Sequence, residues 1–235
     1  MPQQHIVKAY DEELAALDQL IVDMAGQVKA LLVESVTSLV KNDDVLAKSV
    51  IKADKEIDAM QASIDQQATM LLALRQPMAA DLRMIIASLR VSNDLERMGD
   101  YAKNISKRTL TLSKVALMSG TARSVQRMSK LAGGMIDDVL KAWAERDVKL
   151  ALEVIESDEE VDQLHTSLFR EILTYMMEDP RNITACSHLM FIAKNIERIG
   201  DHATNIAEQL YFVVEGKPFH EGHVSLDEAS SQVAE

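Results

Sequence analysis

The chain has 235 residues, which is enough to bury a core in one large domain or two small ones. It contains only 8 glycines and 4 prolines, and this favours long helices over a turn-rich β fold. The net charge of −12 argues against nucleic-acid binding, and the single cysteine, Cys186, excludes an intramolecular disulfide and fits a reducing compartment. Because neither a signal peptide nor an apolar stretch of about 20 residues is visible, we expect a cytoplasmic protein that does not insert into a membrane.

Hydrophobic periodicity predicts an all-α fold of six helices. Asp43 is the expected N-cap of the second helix, and Pro77 and Pro180 are expected near the starts of the third and sixth. A linker is expected around Gly120. The first helix is predicted to begin near Asp11 and the fourth near Thr121, and the six are predicted to end near Lys41, Leu74, Ser113, Glu145, Met177 and Val214.

The second half of the chain repeats the first. Residues 50–58 read VIKADKEID and residues 154–162 read VIESDEEVD, an offset of 104. Residues 95–105, LERMGDYAKNI, and residues 196–206, IERIGDHATNI, are identical at seven of eleven positions, an offset of 101. We therefore predict two tandem three-helix bundle repeats, residues 1–115 and 121–215, and a polar tail at 216–235 that is partly disordered.

Each half carries two pairs of acids spaced four residues apart, one pair on its second helix and one on its third. This spacing puts the two carboxylates of a pair on one helix face, about one turn apart. Antiparallel packing of the two helices would join the pairs of each half. The pairs are Asp54/Asp58 and Glu96/Asp100 in the first half, and Asp158/Asp162 and Glu197/Asp201 in the second.

The pairs on the third helices extend what the spacing predicts to be a buried seam. Unpaired carboxylates in such a seam would be costly unless a positive charge met them. The seam residues of the first half step by four and three along the helix, as in a heptad. They are Leu82, Ile86, Leu89 and Asn93, followed by Glu96 and Asp100.

Two interpretations of the acid pairs are open. In the first, nearby cations neutralise them as ordinary salt bridges. In the second, the pairs bind a metal, because sets of carboxylate oxygens suit hard or borderline cations. We favour the metal, since the two arginines lie one residue off the acidic face. The candidate cations for salt bridges are Arg97, Arg198, Lys52 and Lys55.

Residues beside the pairs suit a metal site. Gly99 and Gly200 remove a side chain where a helix or an ion would approach. Asn104 and Asn205 lie one turn further along and could support the ligands through their amides. Mg, Mn, Fe and Zn all remain candidates, as divalent or trivalent ions, because carboxylate sites discriminate poorly between metals.

The doubled three-helix unit with its acid pairs resembles the PhoU family of phosphate-signalling regulators. The similarity covers about residues 6–215, and the phrases ERMGD and ERIGD, each followed by an asparagine, are its most specific part. The openings of the third helices, QPMAADLR and DPRNI, are similar too. The resemblance implies a six-helix, metal-binding negative regulator of the phosphate-starvation response in the cytoplasm. It also implies two partners that would bring the protein to the inner membrane, a phosphate-sensing histidine kinase and the ATPase of a phosphate ABC transporter.

The second half departs from the first at two positions near its acids. Lys194 stands where the first half has Asn93, and an ammonium near Glu197 would compete with a cation. We therefore expect the second set to be the weaker candidate for a metal site, or to differ from the first in occupancy. His202 stands where the first half has Tyr101, and we expect it to face solvent rather than bind metal.

Three classes of function are compatible with the sequence. The favoured one is a metal-binding adaptor without enzymatic activity, expected to be a homodimer. A di-iron metalloenzyme is suggested by Asp162 and His165, whose spacing resembles the E-x-x-H element of ferritin-like bundles, but Gln61 stands at the matching position of the first half. The third is a helical scaffold whose acids only form salt bridges. The sequence contains no nucleophile elbow, phosphate-binding loop or dinucleotide-binding turn.

Overall fold

A computed structural model describes residues 2–113 and 119–219 of the chain. Within these ranges the chain forms six long helices and one short 3₁₀ helix, Pro180–Asn182, and no strand. The all-α prediction is therefore confirmed. The long helices are α1 Pro2–Lys41, α2 Asp44–Arg75, α3 Ala79–Leu112, α4 Ser119–Glu145, α5 Val148–Glu178 and α6 Ile183–Glu215.

Two helix starts differ from the predictions. Helix α1 begins at Pro2 rather than Asp11, because proline is favoured in the first turn and nothing between the two residues breaks a helix. Helix α4 begins at Ser119, so Gly120 lies in the helix and not in a linker. A Cβ at Gly120 would lie 2.7 Å from Glu171 Oε1, so the end of that flexible side chain would have to shift. The predicted linker is residues 116–124, of which 116–118 lie outside the described residues, as does the predicted tail from residue 220.

The turns between the first two helices of each repeat have the same construction. Asn42 and Arg146 take left-handed backbone conformations, with φ of 54° and 57°. The next residue in each repeat, Asp43 or Asp147, is the N-cap of the following helix, and its side chain accepts hydrogen bonds from backbone N–H groups of the first turn. The capping prediction for Asp43 is confirmed, and the duplication extends to these turns.

The two repeats pack through their first and third helices. Helix α3 lies antiparallel to α6, since Arg83 donates to the carbonyl of Val213 at 3.3 Å while Arg108 lies over the ring of Phe191. Helix α1 packs against α4, whereas α2 and α5 contact only helices of their own repeat. The acid pairs of α2 and α5 therefore lie on the outer helices, beside a central layer.

The prediction that the seam residues of α3 form a buried stripe is wrong. Leu82 and Asn93 are exposed, and the other seam residues are only half-buried. The buried face instead contains small residues such as Ser88, Ser92 and Gly99. The serine hydroxyls donate to carbonyls of their own helix, Met84 O and Leu89 O, so they tolerate burial. The same face also buries Ile85 and Leu95, so it lies one residue before the predicted seam along the helix. The acids of α3 consequently lie at the margin of the core.

Candidate metal centres

The four acids of the first repeat face one another across the groove between α2 and α3. Asp54 is only 3% exposed, whereas Asp58 lies at the exposed edge. Burial and the negative charge of Asp100 raise the pKa of Glu96, and Asp58 and Asp54 contribute to the same effect. The expected joining of the two pairs is therefore present in this repeat.

Lys103 neutralises much of this first set. Its ammonium lies 2.6 Å from Asp54 Oδ2 and 2.6 Å from Asp100 Oδ1. Burial opposes protonation of Lys103, but the hydrogen bonds to Asp100 and Asp54 outweigh it and raise its pKa. The amine is therefore a fixed positive charge between two of the four acids.

Of the cations suggested by the sequence, only Arg97 makes an ion pair with an acid of this first set among the described residues. Its Nε lies 3.7 Å from Glu96 Oε2, and its side chain is largely exposed. Lys52 and Lys55 are exposed. The main cation is thus Lys103, which the sequence analysis missed. Comparison of the halves could have found it, because the matching residue of the second half is Thr204.

The four acids of the second repeat meet between α5 and α6 without such an ammonium. Burial raises the pKa of Asp158 to about 6, with further contributions from Asp201, Asp162 and Glu197. Asp158 Oδ1 and Glu197 Oε2 are buried and have no hydrogen-bond partner within residues 2–113 and 119–219. The Thr204 hydroxyl donates to the backbone carbonyl of Asp201 instead of to a carboxylate. This set retains uncompensated negative charge.

Among the described residues, Lys194 pairs with only one of the four acids of the second set. Its ammonium bonds to Glu197 Oε1, and Glu197 is 8% exposed. Burial and Glu197 raise the pKa of Asp201, although Lys194 acts in the opposite direction. The contacts of the two sets differ in the opposite direction from the one that Lys194 led us to expect, because an ammonium joins two acids of the first set and only one acid of the second among the described residues.

The glycine in each repeated phrase lets the outer helix approach the third helix. A Cβ at Gly99 would lie 3.2 Å from Ile57 Cγ2, and a Cβ at Gly200 would lie 2.9 Å from Asp158 Oδ1. A side chain at position 200 would therefore displace the Asp158 carboxylate. This close approach is what the sequence predicted for the two glycines.

The residues of the second set fit a cation in their chemistry, although their side chains are not drawn together as ligands. No group of three or more His, Cys, Asp or Glu side chains in residues 2–113 and 119–219 forms a ready-made metal site. The donors are carboxylate oxygens, two of them buried and unpartnered, which suit a hard or borderline cation. In the first set, the ammonium of Lys103 already lies between the carboxylates, where a cation would otherwise bind.

His202 and Asn205 belong to the junction between the repeats rather than to an acid set. His202 Nδ1 lies 2.7 Å from Asp94 Oδ1 on α3, and its side chain is 18% exposed, so the prediction that it faces solvent is wrong. Asn205 Nδ2 donates to the same oxygen at 3.4 Å. The rings of Tyr101 and His202 are 5.7 Å apart across the junction. Asn104 is half-buried on α3. Antiparallel packing of α3 and α6 brings these distant residues together.

Comparisons with known proteins agree with this architecture. The family model described as PhoU domain matches residues 21–109 and 125–210. This chain belongs to the PhoU family. It is 46% identical over 224 residues to the "Phosphate-specific transport system accessory protein PhoU homolog" of Caulobacter vibrioides, a match that covers 95% of this chain and 97% of the relative.

Two solved structures have the same fold as this PhoU-family chain. PhoU from Pseudomonas aeruginosa superposes with a TM-score of 0.85 at 35% identity, covering 88% of this chain and 100% of that one. The phosphate transport system regulatory protein PhoU from Streptococcus pneumoniae superposes with a TM-score of 0.84 at 29% identity, covering 90% and 99%. None of the described helices is long and apolar enough to span a membrane.

Proposed function

We propose that this chain is a non-enzymatic, metal-binding regulator of a phosphate transport system. Its relatives carry the names accessory protein and regulatory protein of phosphate transport, which supports the role. The observation that carries metal binding is the pair of buried, unpartnered carboxylate oxygens in the second repeat, Asp158 Oδ1 and Glu197 Oε2.

Those two oxygens are unfavourable in the protein without a counter-charge. A buried acceptor that lacks a donor loses its interactions with water and gains nothing in return. Asp158, Asp162, Glu197 and Asp201 would hold a cation, with Mg or Mn favoured by the all-oxygen donors and Fe or Zn as alternatives. Such a cation would neutralise the set, and its residues would then fix α6 against α5.

The first set would bind a cation less readily. Asp54, Asp58, Glu96 and Asp100 are the equivalent donors, but Lys103 must leave Asp54 and Asp100 before a cation can replace it. The salt-bridged scaffold therefore describes the first repeat better than the second. We propose that the second repeat binds metal first and that the first binds it at higher concentration.

The proposed partners are the ATPase of a phosphate ABC transporter and a phosphate-sensing histidine kinase. The protein would act in the cytoplasm and reach the membrane through them. Its net charge of −12 favours contact with basic regions of either partner, so the association should weaken as salt rises. Pull-downs against the ATPase and the cytoplasmic part of the kinase, at low and high salt, test this step. Binding that does not depend on salt would contradict the electrostatic contact.

Metal binding is tested by metal analysis of the purified protein and by melting with a chelator, with Mn²⁺ and with Mg²⁺. A cation at a hundredfold excess over its dissociation constant would stabilise the fold by about 2.7 kcal/mol. The combined change of Asp158→Asn and Glu197→Gln should abolish the shift. The matched change of Asp54→Asn and Glu96→Gln in the first repeat should retain most of it. If no divalent ion shifts the melting temperature, the metal proposal fails.

The regulatory role is tested in cells. Deletion of the gene should leave the phosphate-starvation genes active in phosphate-rich medium, because the negative regulator is lost. A variant with Asp58, Asp100, Asp162 and Asp201 all changed to Ala should repress weakly while it remains helical by circular dichroism. Normal repression in the deletion strain would contradict the regulatory role. Full repression by a folded, metal-free variant would separate regulation from metal binding.

A further inference from the structure

An apolar groove runs between α5 and α6 on the face turned away from α4. Its volume is about 380 Å³. Two phenylalanines form its opposite walls, Phe169 on α5 with 39% of its surface exposed and Phe191 on α6 with 55% exposed. Leu173, one turn beyond Phe169, is 38% exposed. The residues that line the groove are His165, Phe169, Ser187, Met190, Phe191 and Lys194.

The groove is specific to the second repeat. The residue that matches Phe169 in the first repeat is Asp65, and the residue that matches Phe191 is Arg90. The three-helix fold therefore does not require phenylalanine at either place. Exposed aromatic side chains that face each other across a groove are typical of binding surfaces.

Two cations stand at the groove, although the chain as a whole is acidic. Residues 163–170 and 183–196 of its walls contain no Asp or Glu, and Asp162, Glu171 and Glu197 border these segments. At one end, Lys194 bonds to Glu197 but keeps 44% of its side chain exposed. The exposed part of Lys194 therefore leaves one cation at this end of the groove, next to the acids of the second set.

Arg108 strengthens this charge from α3. Its guanidinium carbon lies 4.1 Å from the centre of the Phe191 ring, and its Nη1 lies 3.3 Å from His188 Nδ1. No ion pair with a carboxylate forms at Arg108 within the described ranges, and burial alone lowers its pKa. At the matching junction of the first repeat, Arg90 donates to the neutral Gln209 at 3.1 Å. The unpaired guanidinium beside an exposed aromatic ring is thus particular to this groove.

The geometry favours a helix as the occupant. Among the described long helices, α4 alone packs on both α5 and α6, and none of the residues that line the groove belongs to α4. A further helix in the groove would complete a four-helix arrangement with α4, α5 and α6. Amphipathic helices bind grooves of this kind through apolar side chains at three- and four-residue spacing.

We propose that the α5–α6 groove docks an amphipathic helix of a partner protein, with its apolar side chains between Phe169 and Phe191 and its acidic side chains against Arg108 and Lys194. The proposal rests on the exposed aromatic walls and the unpaired cation. It does not depend on metal binding or on a role in phosphate transport.

The test is a selection of helical peptides of about 18 residues, or five turns, from a randomised display library on the full chain. The selected peptides should carry apolar residues at helical spacing and acids on the flanks. Their affinity, measured by fluorescence anisotropy, should fall at least tenfold for Phe191→Ser and for Phe169→Ser, and should fall with added salt. Arg108→Gln should weaken acidic peptides more than versions of the same peptides with Gln in place of the acids.

Leu74→Ser is the matched control, because it removes a side chain that is 71% exposed in the first repeat. It should leave the affinity unchanged, and circular dichroism should show all four variants to be helical. The proposal fails if no peptide is enriched, if the enriched peptides are basic or non-helical, or if they bind Phe191→Ser as well as the original chain. It also fails if Phe191→Ser instead abolishes self-association in sedimentation, or binding to vesicles of phosphatidylcholine and phosphatidylglycerol.

Discussion

In the first repeat an ammonium group lies between two of the four acids, whereas in the second repeat a threonine occupies the matching position. Lys103 bonds to both Asp54 and Asp100. In the second repeat, Lys194 takes a different place on the helix and bonds only to Glu197. Two sets built from the same residue types therefore differ in how much of their charge the protein itself neutralises.

This difference shows that the acid phrase alone does not set the charge of the site. The glutamates and aspartates supply the potential ligands. The residue at position 103 or 204, which is not one of these acids, decides whether their oxygens are free to bind a cation. Duplication can therefore preserve a set of carboxylates while one substitution per copy changes how much of their charge is neutralised. Unequal sites would let one protein respond to two ranges of cation concentration.

The largest effect on cation binding is expected when the residues at the matching positions 103 and 204 are exchanged. Lys103→Thr should give the first set a divalent-cation response, and Thr204→Lys should suppress that of the second, because the new ammonium can reach Asp158 and Asp201. The gain or loss should approach about 2.7 kcal/mol at a hundredfold excess of cation over its dissociation constant. Thermal melting with and without Mn²⁺ measures it.

The exchange has an internal control, since the double variant of Lys103→Thr and Thr204→Lys should bind about as much cation as the original chain. The comparison between the repeats is wrong if each single variant responds to Mn²⁺ as the original does.

A smaller effect is expected from Asp54→Asn without divalent ions. The change removes one of the two carboxylates that hold the half-buried Lys103 ammonium. Loss of such a partner should lower the free energy of unfolding by about 1–3 kcal/mol. Urea unfolding at neutral pH with a chelator measures the change. An unaltered midpoint would mean that Asp100 and solvent satisfy Lys103 without Asp54.

The smallest effect, with the opposite sign, is expected from Asp158→Asn. The pKa of Asp158 rises in the fold from 3.8 to about 6, so its ionised form is disfavoured there. Above pH 6 the full cost is present, and below pH 4 the carboxyl is protonated in both states and the cost disappears. The substitution should therefore stabilise the metal-free protein by up to about 1 kcal/mol at neutral pH, since the partly exposed group is screened by solvent.

Urea unfolding of the original chain and of Asp158→Asn from pH 4 to pH 8, with a chelator present, measures this difference in the free energy of unfolding. The difference should grow as pH rises through this range. A destabilised Asp158→Asn variant at pH 8 would show that Asp158 has a partner in solution and would remove the main support for the second site.

Sequence patterns were sufficient for the features that depend on a few neighbouring residues. The six helices, the N-cap at Asp43 and the two repeated phrases could all be predicted, because periodicity, capping and internal repetition are visible along the chain. The meeting of the acid pairs followed from the repeat, since adjacent long helices joined by a tight turn run antiparallel. The buried face of α3 was predicted one residue out of place, because it mixes large residues such as Ile85 and Leu95 with small ones such as Ser88 and Gly99, while neighbouring apolar residues such as Leu82 and Leu89 also fit a helical stripe.

The sequence by itself determined the helices, the duplication and the positions of the eight acids, since each is set within a few turns of one helix. Only the tertiary structure decided which charges meet between helices. Lys103 reaches Asp54 from 49 positions away, and His202 reaches Asp94 from 108 positions away. Such contacts depend on the rotation of one packed helix against another, and a small rotation moves a side chain from a neighbouring helix to solvent. The second set's unpartnered oxygens and the aromatic groove beside them result from that packing.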